Sequence, residues 1–352
     1  MTATQAYAVQ SPTAPFAPVV IDRREPGPHD VRIDIAYCGV CHSDLHTARG
    51  EWEGTRYPCV PGHEIVGTVT AVGAHVGRHK VGDRVAVGCM VDSCRECESC
   101  RAGLQQYCYN GNTGTYNSPD RHSGGHTLGG YSASITVDEA FVLSVPAGLP
   151  LDATAPLLCA GITLYSPLRH WGAGTGRKVG IIGLGGLGHM GVKIARALGA
   201  EVTMITTTAA KAQDAKRLGA HHVILSTDAA QMQAAEKSLD LLMDTVSAEH
   251  DLAPYNRLLR VDGVNVLLGL PPSGAMPFKL GRMIGNRLSI AASTIGGIAE
   301  TQEMLDFCAH HNIVSDIELI GIDQIERAYE RMLRSDVKYR FVIDMATLKA
   351  TA

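Results

Sequence analysis

The sequence predicts an α/β protein of two domains, one β-rich and one a doubly wound parallel sheet. Three observations carry this. The chain has 352 residues with 45% hydrophobic content, too long for one ordinary core. Its first part strings together β-branched runs cut by glycine and proline. Beyond Pro156, apolar strands alternate with helical stretches.

The β-rich part is clearest over residues 31–87, in Val31-Arg32-Ile33-Asp34-Ile35 and Ile65-Val66-Gly67-Thr68-Val69. Short alternating runs of this kind predict antiparallel strands. Residues 88–130 then turn to cysteine, glycine and polar side chains, a stretch too long to stay ordered without a clamp. A metal lobe at 88–115 would supply it. After Pro156 the apolar runs at 178–182, 201–205, 239–243 and 265–268 predict a parallel sheet covered by helices. From Gly296 one amphipathic helix over 300–310 and short strands including 339–343 suggest a return to the first domain. The expected organisation is therefore 1–156, 157–295 and 296–352.

A formal charge of -4 gives no general attraction to nucleic acid or acidic membranes. The stretch Met1 to Val9 lacks the basic flank and apolar core of a secretory signal, so a cytoplasmic protein is expected. Ten cysteines in that setting read as thiols or metal ligands rather than disulfides.

The run Val179-Gly180-Ile181-Ile182 leads directly into Gly183-Leu184-Gly185-Gly186-Leu187-Gly188, with helical composition following from His189. Strand, glycine turn and helix in this order make a dinucleotide-binding signature. Gly183 would permit the turn, Gly185 would admit a pyrophosphate, and Gly188 would let the helix pack closely. The helix N-terminus, reached through Gly186 and Leu187, offers free N–H groups to the anion. The next strand ends in Thr206-Thr207-Thr208, with Lys211 beyond, where NAD binders place a carboxylate. Hydroxyls and a lysine favour the 2'-phosphate of NADP(H); the plainer reading is a helix N-cap followed by a solvated lysine.

Cys94, Cys97, Cys100 and Cys108 form C-x2-C-x2-C-x7-C, four thiolates within reach of one ion. That suits a closed structural zinc site, although an iron–sulfur cluster could use the same spacing. A second set, Cys41, His63 and Cys159, is dispersed, and its separations alone prove nothing.

Taken together, Cys38-Gly39-Val40-Cys41-His42-Ser43-Asp44, Pro61-Gly62-His63-Glu64, the four-cysteine lobe, Leu158-Cys159-Ala160-Gly161-Ile162-Thr163 and the glycine turn resemble the zinc-dependent medium-chain alcohol dehydrogenases. The resemblance spans nearly the whole chain. Within that family the segment from Cys159 to Leu168, with Gly129-Gly130-Tyr131-Ser132, looks most like the cinnamyl alcohol dehydrogenase branch. The threonine strand end departs from the serines usual there.

The resemblance implies a GroES-like catalytic domain and a Rossmann cofactor domain. It also implies two Zn2+ per chain and hydride transfer between NADP(H) and an aldehyde or primary alcohol. By the same resemblance Cys41, His63 and Cys159 hold the catalytic zinc, with Glu64 able to approach it. Ser43 and His46 pass the alcohol proton, and Asp44 orients the ligands. Thr163, Thr245, Gly269 and Ser293 fall on the nicotinamide side, and Arg340 beside the pyrophosphate. A homodimer joined through cofactor-domain sheets is also implied.

Trp52 and Tyr116 are candidates either for the substrate pocket or for packing between domains, whereas Cys38, Cys59, Cys89 and Cys308 read as core thiols. Two other readings stand beside the main one. An NAD-linked polyol or secondary-alcohol dehydrogenase would share metal and fold, and only the threonine strand end opposes it. A nonenzymatic zinc-ribbon binding protein would explain the lobe but neither the second ligand set nor the charge.

Overall fold

The computed structural model describes residues 1–271 and 273–350, with the side chains of residues 349 and 350 excepted. The chain divides into two compact units. One comprises Met1–Cys159 with Gly296–Ala352, the other Ala160–Ile295. No helix among the described residues is long and apolar enough to cross a membrane.

The first unit is built on the strand Asp30–Gly39. Its alternating Val31, Ile33 and Ile35 are buried, which gives it an inner face along most of its length. It pairs antiparallel with three neighbours: Ile65–Val72, Ser134–Asp138 and Arg340–Asp344. The sheet continues through Arg84–Val87 and Leu143–Ser144 on one side and Ile317–Ile320 on the other. The register pairs Cys38 with both Ile65 and Ile343. The residues just beyond this row, from three distant parts of the chain, therefore share one end of the sheet.

The tail differs from expectation. Between the helix Ile298–His310 and the strand Arg340–Asp344 lies a second helix, Ile325–Leu333. It buries Ile325, Ala328, Tyr329 and Met332, the i, i+3, i+4, i+7 pattern of one helix face.

The second unit holds six parallel strands. Their order is His222–Leu225, Glu201–Thr206, Lys178–Ile182, Leu239–Asp244, Leu259–Leu267 and Ser289–Ala292. Every residue of Leu239–Asp244 is buried, as expected of a strand covered on both faces. The core gathers Ile182, Ile205, Ile224, Leu239, Leu242 and Leu258. Chain order reverses between Lys178–Ile182 and Leu239–Asp244, and sheets of this topology take ligands at such a reversal, outside the strand ends.

Candidate metal centres and coenzyme turn

Cys41 follows the strand Asp30–Gly39 as the N-cap of the helix His42–Ala48, and His63 and Glu64 immediately precede Ile65–Val72. The Gly39 amide donates to Glu64 O at 2.9 Å, which ties the two approaches together. Gly39 is required there, because a Cβ would stand 1.9 Å from Glu64 Oε2. Cys159 arrives from the turn Ala155–Leu158. The residues that sequence separations alone could not join thus meet. One ligand atom each from Cys41, His63, Glu64 and Cys159 lies within 4.8 Å of all the others, and all four residues are buried.

Within this cluster the Cys41 and Cys159 sulfurs stand 3.9 Å apart. Pairing with Cys159 holds the Cys41 thiol well below its ordinary range against the effect of burial, and the same pairing pushes Cys159 well above. A thiophilic cation would take its place between two such sulfurs. Asp44 Oδ1 lies 3.0 Å from His63 Nδ1. Asp44 also accepts from the amides of Cys41 and Gly62 at 2.8 and 3.0 Å. Burial, the largest single effect, would lower the His63 pKa, but Asp44 together with Cys89 and Cys41 outweighs it and the net shift is upward.

Glu64 is fully buried. Burial raises its carboxyl to about 7 although Arg340 opposes the rise. Arg340 Nη2 donates to Glu64 Oε1, whereas Oε2 is buried without a donor. A buried carboxylate oxygen with no donor, two sulfurs and an imidazole oriented through its other nitrogen make a donor set that fits zinc. Arg340, expected beside a pyrophosphate, is 5% exposed and faces Glu64 in the first unit. Its place follows from strand pairing, since Val40 N bonds Phe341 O at 3.0 Å.

Ser43 and His46 lie on the helix His42–Ala48, with the Cys41 thiol donating to Ser43 Oγ at 3.7 Å. His46 Nδ1 pairs with Glu51 at 2.5 Å, a partner the sequence reading missed. Only an acidic residue a few positions beyond the helix hinted at it. Two aromatic rings accompany the histidines. Trp52 tilts on His46 with centroids 5.2 Å apart, and Tyr116 on His63 at 5.6 Å. Both contacts lie inside the first unit.

In the cysteine lobe Cys94, Cys97, Cys100 and Cys108 also have sulfurs within 4.8 Å of one another. Backbone amides aim at them: Cys97 N donates to Cys94 Sγ and Tyr109 N to Cys97 Sγ, both at 3.4 Å. Amides of Glu96 and Cys97 bring the Cys94 thiol down to about 6. Amide donors favour thiolates, as a closed metal site needs. Arg95 anchors the lobe, bonding Asp92 and Asp138 and lying over the Phe141 ring.

In the second unit Gly183 turns the chain at φ +89, and a Cβ on Gly185 would meet nothing within 4 Å. That open backbone is the approach a pyrophosphate requires. Gly188 serves differently from expectation: a Cβ there would meet Gly183 O at 1.8 Å, so its bareness spares the turn itself. The helix approaches the sheet instead at Gly191, whose Cβ would stand 3.2 Å from Ile181. Gly186 and Leu187 complete the turn, with Leu187 as the N-cap of Gly188–Ala197. Thr245 Oγ1 donates to Ile182 O at 2.7 Å at the reversal point. Gly269 and Ser293 follow the ends of their strands, the Ser293 amide bonding Leu267 O. Thr163 is buried in the helix Ala160–His170. Thr206 ends its strand, and Thr207 and Thr208 are exposed. Thr208 occupies the N-cap of Ala209–Leu218, but its hydroxyl makes no capping bond. The plain capping role is therefore unfilled. Lys211 lies in that helix's first turn.

Residues 27–147 match the alcohol dehydrogenase GroES-like domain and residues 186–310 the zinc-binding dehydrogenase domain. The chain is 57% identical to the aldehyde reductase YahK of Escherichia coli (strain K12), covering 98% of this chain and 99% of that protein. It is 55% identical to the NADP-dependent alcohol dehydrogenase C of Mycobacterium tuberculosis (strain CDC 1551 / Oshkosh), over 99% and 100% of the two chains. Among solved structures, a cinnamyl alcohol dehydrogenase from Sorghum bicolor superposes with a TM-score of 0.94 at 43% identity, over 98% of each chain. CAD from Helicobacter pylori, complexed with NADP(H), gives 0.92 at 42% identity over 98% and 99%. With both domains matched and full-length relatives above half identity, this chain belongs to the zinc-binding dehydrogenases with an alcohol dehydrogenase GroES-like domain.

Proposed function

We propose that this chain is an NADP(H)-dependent alcohol dehydrogenase that interconverts aldehydes and primary alcohols, aromatic and aliphatic. The observation that carries the reading is the buried cluster of Cys41, His63, Glu64 and Cys159 at one end of a sheet. The names of its relatives, an aldehyde reductase and NADP-dependent alcohol dehydrogenases, point the same way.

Cys41, His63 and Cys159 hold the catalytic zinc, and Cys94, Cys97, Cys100 and Cys108 the structural one. When bound, the catalytic zinc supplies Lewis acidity to the substrate oxygen and NADP(H) carries the hydride. The chain does the rest. Asp44 fixes the His63 tautomer, so that Nε2 faces the sulfurs. Arg340 opposes the rise of the Glu64 carboxyl and holds it close, available as a further ligand. Ser43 takes the alcohol proton, and His46, held by Glu51, accepts it. Trp52 and Tyr116 offer flat apolar walls, which suits planar aldehydes.

Gly183, Gly185, Gly186, Leu187 and Gly188 cradle the pyrophosphate. Thr206, Thr207, Thr208 and Lys211 take the 2'-phosphate, with no carboxylate there to repel it. Thr163, Thr245, Gly269 and Ser293 line the nicotinamide side.

A homodimer completes the reading. Ser289–Ala292 is an edge strand, and the same unit exposes Leu270, Phe278, Leu280 and Ile284. Unpaired edges and exposed apolar side chains of this kind are what a second copy covers.

The test is an aldehyde panel followed by NADPH absorbance, repeated with NADH, on protein carrying two zinc ions per chain. NADPH-linked reduction much faster than NADH-linked is expected. Equal rates would overturn the coenzyme assignment, and no turnover of any aldehyde or alcohol would overturn the activity.

A further inference from the structure

A third sulfur stands beside the buried pair. Cys89 lies between the strands Arg84–Val87 and Met90–Asp92. Its thiol donates to Leu158 O at 3.6 Å, on the residue before Cys159. Gly88 packs on the same carbonyl, since a Cβ built there would stand 3.3 Å away. The Cys89 side chain also contacts the Cys159 side chain. Expected as a core thiol, Cys89 is instead partly open, whereas Cys38, Cys59 and Cys308 are buried. Cys41 and Cys159 are each only 8% exposed.

We propose that Cys89 is an oxidation site for peroxides that links to Cys159 as a disulfide and thereby removes a metal ligand. The inference rests on the zinc reading above. Of the three residues Cys89 is partly open whereas Cys41 and Cys159 are buried, and it carries no cation in that reading. The Cys89 thiolate attacks one oxygen of hydrogen peroxide; the O–O bond breaks, hydroxide leaves, and Cys89 becomes a sulfenic acid. The Cys159 sulfur then attacks the Cys89 sulfur, and the S–O bond breaks as hydroxide departs. Two thiols and one hydrogen peroxide give one disulfide and two waters, with two electrons passing from sulfur to peroxide.

With Cys159 engaged, the centre keeps one thiolate, His63 and Glu64, and its hold on zinc weakens. A thiol reductant reverses the change. The direct alternative is a Cys41–Cys159 disulfide across 3.9 Å, which would leave Cys89 free.

The experiment uses the zinc-loaded enzyme. Metal content and turnover are measured before oxidant is added, so failure of the zinc reading is seen at that stage. Stoichiometric hydrogen peroxide follows, with zinc release read by a chromogenic chelator and cross-links mapped by peptide mass spectrometry without reduction. A Cys89–Cys159 linked peptide is expected, together with zinc loss and recovery of activity on adding dithiothreitol and zinc. Cys89→Ser, which keeps a donor toward Leu158 O, should lose catalytic zinc several-fold more slowly. A Cys41–Cys159 peptide with Cys89 left free would overturn the proposal, as would undiminished zinc release from the Cys89→Ser protein.

Discussion

The imidazole of His63 is held through Nδ1 by Asp44 Oδ1 at 3.0 Å, so the nitrogen that faces the sulfurs is chosen by a carboxylate 19 positions earlier. Asp44→Ala should weaken catalytic zinc binding about 10- to 100-fold, the usual cost of losing such a partner. Asp44→Asn, which can still accept through Oδ1, should lose less. Chelator competition measures both, and equal affinity in all three proteins would remove Asp44 from the centre.

The pairing of His46 with Glu51 makes a separable prediction. His46→Ala should lower turnover by about 100-fold with zinc content unchanged, as expected of a lost proton acceptor. Glu51→Gln should shift the pH dependence of turnover while leaving zinc in place. A pH profile identical to the wild type would count against the relay.

Coenzyme choice turns on the exposed Thr207 and Thr208. Thr207→Glu should reduce the preference for NADPH over NADH by about tenfold or more, the scale of one hydrogen bond to a charged group. The ratio of kcat/KM for the two coenzymes is the readout.

Loss of the cysteine lobe should cost stability rather than chemistry. Cys97→Ser should release one zinc per chain and lower the Tm by about 5 °C or more, because the ion and its loop fold together. The surviving folded enzyme should turn over at near the normal rate. A Tm equal to the wild type after zinc loss would refute a structural role.

Glu64 predicts a pH effect in the metal-free protein. Its carboxyl is raised to about 7 when folded, first by burial. The folded state therefore binds more protons than the unfolded chain between the ordinary carboxyl range and pH 7. Stability should fall as pH rises through that window, by at most about 3 kcal/mol. Glu64→Gln should flatten the slope; denaturant unfolding at several pH values would show whether it does.

The parts legible in the sequence are those written locally. The glycine turn needs only a strand before it and a helix after it, and the lobe needs four cysteines in one short stretch. Glu51, by contrast, is found only once the helix His42–Ala48 has set where its loop returns. Arg340 meets Glu64 because two strands share a register, which no spacing along the chain encodes. Cys89 reads like the other core thiols because composition carries no information about which cysteine is left partly open. The helix Ile325–Leu333 carries a 3.6-residue period of buried side chains, but it is short and sits between short strands.

The pairing of Arg340–Asp344 with the strand Asp30–Gly39 sets an order on biosynthesis. Every proposed zinc ligand has been synthesised once Cys159 is made, yet the guanidinium that faces Glu64 comes much later. Until then a nascent chain carries thiols and a buried acid without their counter-charge. Premature termination before residue 340 would leave a chain with all its metal-binding side chains and an uncompensated carboxyl among them.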